Sequence, residues 1–150
     1  MSSKQKPITI TSKDITTMSN KLKRLGPEYE KIVGMEIAAT AVDIERMASQ
    51  WAPIDKGFLR NSIKASKMAS ATWKVSAQVF YAAYMEFGTG TMVEIPRGME
   101  EYAKDFMAPR PVKMEVNIPA RPFFFPAYRK GIKDLQGRLA DELKRATGKK

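Results

Sequence analysis

An apolar stripe set between two prolines constrains this chain most. From Pro27 to Pro53 the residues Tyr29, Val33, Ile37, Ala41, Ile44, Ala48 and Trp51 follow one another at spacings of 4, 4, 4, 3, 4 and 3. An α-helix returns to the same face about every 3.6 residues, so this is one continuous helical face. Pro27 suits the first helical position, where the amide hydrogen it lacks would find no partner. Glu28 and Glu30 put negative charge where the helix dipole favours it. Pro53 blocks continuation. The result is a rod of roughly 36 Å at about 1.5 Å per residue, and its stripe must be covered by the rest of the chain.

Several segments can supply that cover. Ser12 is a candidate N-cap for a helix from Lys13 to about Leu25, closed by Gly26. Near the other end Tyr128, Ile132, Leu135, Leu139 and Leu143 recur at 4, 3, 4 and 4, which predicts a closing helix from Pro126 to about Ala146 with a basic outer face. Residues 52–57 read as a turn, in which Asp55 can bond its own following backbone and Gly57 can take a positive φ. Phe58 to Lys67 is expected to be extended, with Leu59, Ile63 and Ala65 inward. In 72–80 Trp73, Val75, Ala77 and Val79 alternate with more polar residues, the pattern of a half-buried strand. Residues 68–71 are short enough to join the two as a hairpin. Tyr81 to Phe87 favours a helical turn stopped by Gly88. Met99 to Met107 could form a small helix, and the alternation of Val112, Met114, Val116 and Ile118 predicts another strand.

This order is α+β: a long N-terminal helix and a C-terminal helix packed on a small antiparallel sheet. The expected organisation is a flexible basic arm at 1–12, one domain at 13–147 and a disordered tail at 148–150. At 150 residues one core suffices, since a chain of this length buries about 70% of its unfolded surface.

Composition narrows the chemistry. There is no cysteine and no histidine, which removes disulfides, thiolate nucleophiles, the usual zinc sites and the commonest acid–base side chain near neutral pH. No Walker loop, GxGxxG or GxSxG is present. Gly88-Thr89-Gly90 is too short to cradle phosphate, and Glu100-Glu101 reads as a solvated face. Glu86, between Tyr84 and Phe87, could be partly buried, with a raised pKa and the role of a catalytic acid; the commoner roles for such a glutamate are pairing with an arginine or capping a backbone turn. No cofactor or metal is expected, and no enzymatic activity. No apolar segment approaches the ~20 residues of a membrane helix, and no leader-like apolar region precedes Ser12.

The net charge of +10 is unevenly placed. Residues 1–24 hold six basic residues against one acidic, and 129–150 hold eight against three, so each end carries +5 while 25–128 is neutral. The ends are either basic arms for DNA or an acidic protein surface, or solubilising charge. Phe123-Phe124-Phe125 also admits two readings. One helix or strand cannot turn three consecutive rings to one core, so either a ring serves as an interface anchor or the segment threads under the core and buries all three. Arg121 and Arg129 flank the run, which also permits stacking on single-stranded nucleic acid.

Three segments together resemble a known family. Ala52-Pro53-Ile54-Asp55-Lys56-Gly57-Phe58-Leu59-Arg60-Asn61-Ser62-Ile63 is similar to a pattern of Ala-Pro, a hydrophobic residue, Asp-Thr-Gly, one residue, Leu-Arg, one residue, Ser-Ile. Tyr81-Ala82-Ala83-Tyr84-Met85-Glu86-Phe87-Gly88-Thr89 is similar to Tyr-Ala, any, Tyr-hydrophobic-Glu-Phe-Gly-Thr. Ile118 to Ala127, with Ala120-Arg121-Pro122-Phe123, is similar to an Ala-Arg-Pro-Phe segment before a closing helix. In this order, after a long helix, they resemble the minor tail or tail-completion family of siphophages typified by HK-type lambdoid phages. Lys56 departs from the threonine of the first pattern, and Gly90 to Asn117 is longer than the bare pattern.

The resemblance implies structural work in a virion assembled from parts made in the bacterial cytoplasm. Such proteins sit at the neck or tail, join other neck and tail proteins, and act as rings, commonly of six. Packaged DNA is a further contact the basic ends could make. The residues it marks for assembly are Asp55, Gly57, Leu59, Arg60, Ser62, Tyr81, Tyr84, Glu86, Phe87, Gly88, Thr89, Arg121, Pro122, Phe123 and Phe124. The alternative is a nucleic-acid-binding module that uses the two basic ends. Tail completion, tail termination and head closure share this size and address.

Overall fold

The structure, a computed structural model, describes residues 13–54, 56–69, 71–89, 92–97 and 118–148. Helix α1 spans Lys13–Lys23 and the long helix α2 spans Pro27–Trp51. A single turn, α3, covers Phe58–Ser62; the hairpin follows as β1 (Ile63–Ala69) and β2 (Thr72–Ala77). Helix α4 covers Ala82–Phe87, and the last helix, α5, runs Phe124–Thr147. The expected α+β class, with long helices on a two-stranded antiparallel sheet, is the fold.

The stripe of α2 faces the core as its spacing requires: Val33, Ala41, Ile44 and Ala48 are buried. Its last member does not follow. Trp51 is 43% exposed, because Ala52, four residues after Ala48, takes the inward place at the helix end and is itself buried. Helix α5 lies antiparallel to α2: Gly131 sits against Ile44, and Arg138 reaches Glu36 with Nε and Thr40 Oγ1 with Nη2 at 2.6 Å. Two apolar clusters result. One gathers Ile44, Ala48, Leu59, Ile63, Phe123 and Phe124 around the α2–α3–hairpin corner. The other holds Leu22 of α1 against Val33, Leu135 and Leu139.

The tightest approach of the two long helices is at Gly131. A Cβ there would overlap Ile44 Cγ1 and lie 2.8 Å from its Cδ1, and Ile44 is too buried to swing away. Gly137, on the same helix, has open space. Gly131→Ala is therefore expected to lower stability by about 1–3 kcal/mol through overpacking. Gly137→Ala should raise it by roughly 0.5–1 kcal/mol through helix propensity. Urea unfolding of the two variants beside the parent chain checks the opposite signs.

Three expectations are corrected. Phe58 to Ser62 is a helical turn, not extended. Gly57 enters it at φ 81°, Ser62 Oγ donates to the Leu59 carbonyl at 2.7 Å, and Leu59 and Ile63 bury together at a spacing of four, which is helical. Strand β2 stops at Ala77, short of Phe80, and lacks clean alternation: Ser76 is buried while Trp73, Val75 and Ala77 are half-buried. The last helix starts at Phe124, two residues before Pro126, for a reason given below. The hairpin itself is as expected. Ile63 pairs with Ala77 and Ala69 with Thr72, with a bulge between Lys67 and Ala69. Glu45 of α2 fixes its edge by accepting the Ala65 amide at 2.6 Å. The arm at 1–12, the small helix at 99–107 and the strand at 112–117 fall outside the described residues.

Candidate functional site

Two of the segments singled out in the sequence meet in space. Helix α4 carries Glu86, whose side chain turns inward and is 1% exposed. Its Oε2 accepts the amides of Phe123 and Phe124, each at 2.9 Å, and its Oε1 accepts that of Phe125 at 3.0 Å. These are the N-cap, first and second residues of α5. An α-helix begins with four amides that its own carbonyls cannot reach. Here the fourth belongs to Pro126, which has no hydrogen to offer. One carboxylate from a distant helix thus satisfies every free donor at the start of α5. This is why the helix can begin at Phe124, although no side chain from its own N-terminus caps it.

The glutamate sits at the positive end of the α5 dipole, yet burial pushes its carboxyl above the ordinary 4.5. The three amide bonds and the charge of Arg129 pull the other way without cancelling that effect. The group is consumed by the backbone: both oxygens are engaged, and the residue is sealed from solvent. The structure gives Glu86 the capping role rather than that of a cleft-facing acid.

Around this bond the backbone is clamped. Gly88 ends α4, its amide donating to the Tyr84 carbonyl at 2.9 Å. Thr89 then pairs with Ile118 in both directions: its amide donates to the Ile118 carbonyl at 2.9 Å, and its Oγ1 accepts the Ile118 amide at 2.8 Å. The Arg121 amide donates to the Met85 carbonyl and the Glu94 amide to the Phe87 carbonyl, each at 2.8 Å. Gly88 holds φ 79° and ψ −178°, a region open essentially to glycine alone. A Cβ there would overlap Met92 O and lie 2.8 Å from both Ala120 N and Ile118 O.

The three consecutive phenylalanines resolve in favour of burial. Phe123, Phe124 and Phe125 are 1%, 3% and 0% exposed, so none anchors an outside partner from this surface. They can all be inward because Phe123 is still extended at φ −134° while the next two open the helix. Phe125 packs on Phe87 with ring centroids 5.5 Å apart. Stacking of these rings on nucleic acid is likewise ruled out by their burial.

The remaining marked residues divide by exposure. Leu59 is in the core and Ser62 ties the α3 turn. Tyr81 is half-buried against the core and meets Phe80 edge-on at 5.4 Å. Tyr84 is also half-buried. Arg60, Arg121 and Pro122 are exposed, and Asp55 lies outside the described residues. Sequence reasoning missed Glu45 and the Glu36–Arg138 pair, and left Phe125, read within the aromatic run, out of the marked residues. The position of Phe125 in the aromatic run was a signal; nothing local pairs residues about a hundred positions apart. Among the described residues no group of His, Cys, Asp or Glu could hold a metal ion, and no helix is long and apolar enough to cross a membrane.

Among the described residues, those marked in the second and third segments serve to hold these two segments together, through Glu86, Gly88 and Thr89. Residues 16–88 match the family described as "Bacteriophage HK97-gp10, putative tail-component". That stretch, just under half of the chain, is similar to the HK97-gp10-like family of bacteriophage tail components. No curated protein and no solved structure matches it. The match ends at Gly88, so the third segment, from Ile118, stands on resemblance and on its bonds to the second.

Proposed function

We propose that this protein is a non-enzymatic part of the phage neck or tail that completes the tail or joins it to the head by forming a ring and binding neighbouring virion proteins. The observation that carries this reading is the family match over residues 16–88, whose last segment supplies the carboxylate that starts α5. The marked residues maintain a subunit shape; binding to other subunits then falls to what that shape displays. Phe58 and Phe80 are 65% and 71% exposed, and Ile54 is as open. Large apolar side chains left in water suit a subunit that meets copies or partners, and a ring needs two different side surfaces that fit head to tail. Among the described residues, Arg60, Arg121 and Pro122 are the exposed marked ones that can contribute to such contacts.

Deletion of the gene from its parent phage, followed by electron microscopy of the lysate, tests the proposal. The expected result is DNA-filled heads beside unjoined tails, or tails of defective length. Normal joined virions would overturn it.

A further inference from the structure

The described parts of the two basic ends, α1 with the residues just after it and α5, are neighbours in the fold. Helix α1 buries Leu22 against Leu135 and Leu139 of α5, with Met18 and Leu143 at the edge of the same cluster. Lys21 and Arg24 are exposed and Lys23 is half-buried at the end of α1. On α5, Lys133 and Lys144 are exposed and eleven residues apart, about three whole turns, so they lie on one side of the helix. These five cations make no ion pair among the described residues, whereas Lys130 and Arg145 are neutralised by Asp134 and Glu142 on their own helix. Asp134 and Glu142 lie next to this row in sequence but are paired with Lys130 and Arg145, which leaves Asp141, one turn before Lys144, as the nearest acid on that helix with no ion pair among the described residues.

Packed helices lie about 8–10 Å apart, close to the screening length at physiological salt. The apolar cluster beneath therefore holds two cation-bearing helices side by side, and an anion laid across both would relieve the repulsion between their charges. The face has little of the apolar centre that a protein interface carries. Apart from Leu25, the exposed large hydrophobics lie elsewhere, on α2, on the segments from Ile54 to Phe80 and at Met92. A regular polyanion fits it better than a folded partner does.

From this we infer that α1 and the outer side of α5 form one surface that binds the phosphate backbone of duplex DNA without reading its sequence. The inference does not depend on ring formation, because the surface is complete within one chain.

Binding of the full chain to a fluorescent DNA duplex of arbitrary sequence, followed between about 50 and 200 mM salt, tests it. Five neutralised phosphates give a log–log slope of about −4.5, a several-hundred-fold loss of affinity over that range. Lys21→Glu on α1 with Arg24→Glu just after it, and Lys133→Glu with Lys144→Glu on α5, form two separate double variants. Circular dichroism confirms their folding. A single surface predicts that each double variant weakens affinity at least tenfold and flattens the slope, while one chain still binds one site. Three results would overturn the inference: a variant that halves binding capacity but keeps affinity, which means independent arms; poly-glutamate bound as tightly as DNA, which means an acidic-protein dock; or binding insensitive to salt.

Discussion

Gly88→Ala is expected to unfold the chain or bring it close to unfolding. Two costs combine. The backbone angles at Gly88 are strained for any residue with a Cβ, by about 1–3 kcal/mol. The added methyl would also meet three backbone atoms, of Met92, Ile118 and Ala120. None can step aside, because the segment at 118–121 is bonded to Thr89 and Met85. The sum should exceed about 4 kcal/mol, against a typical domain stability of about 5–15 kcal/mol. Gly57 provides the control: its φ is 81°, but the nearest atom to a Cβ there is Asn61 Nδ2 at 3.6 Å. Gly57→Ala should cost about 1–2 kcal/mol, the left-handed conformation alone. Thermal melts of both variants decide the matter. Comparable melting temperatures would show that the clamp gives way more easily than its bonds suggest.

Glu86→Ala has the next largest expected effect. It strands the buried amides of Phe123, Phe124 and Phe125, at about 1–3 kcal/mol for each unsatisfied donor. Relief from keeping a carboxylate in a dry site offsets part of this, which leaves a loss of about 3–5 kcal/mol. Glu86→Gln should cost less, about 1–3 kcal/mol, because its carbonyl can replace Oε2 while its amide group faces the Phe125 donor. The pH dependence has a definite sign. Since the folded carboxyl titrates above 4.5, its stabilising contribution is fully present below that ordinary value and lost as pH rises through the folded value. On acidification toward the ordinary carboxylate range, the parent chain should therefore gain stability relative to Glu86→Gln. Urea midpoints of the two proteins across that window test this. A stability difference that stays constant, or moves the other way, would mean the amides hold the carboxylate ionised against its burial.

Much of the architecture was legible because it follows local periods. The α2 stripe, the hairpin and the Tyr128–Leu143 spacing each repeat within a few residues, and the helix ends at Gly26, Pro53 and Gly88 are marked by residue types with few other uses. Legibility failed where a distant partner decides. Phe124 could not be read as the start of α5, since its cap comes from Glu86, and Pro126 looked the better first residue. Leu59 fits a strand as an inward position beside Ile63, yet it lies in the helical turn that precedes β1, and only Ile63 is extended. The site was half visible: the segments could be picked out, but their role could not. Glu86, Gly88, Phe123 and Phe124 resembled assembly residues; in the fold they secure one segment of the chain to another.

The cap by Glu86 has a consequence for the order in which the chain is made. A ribosome finishes α4 well before it delivers α5, so the residues recognisable as family members are complete while Ile44, Val33 and Leu22 still lack the helix that covers them. An interrupted chain ending near Gly88 would hold a glutamate aimed at donors that never arrive and a rod with one side bare, the kind of surface that aggregates. A chain that stops short of the last helix is thus expected to leave Ile44, Val33 and Leu22 uncovered, whereas one that reaches Leu139 closes over them.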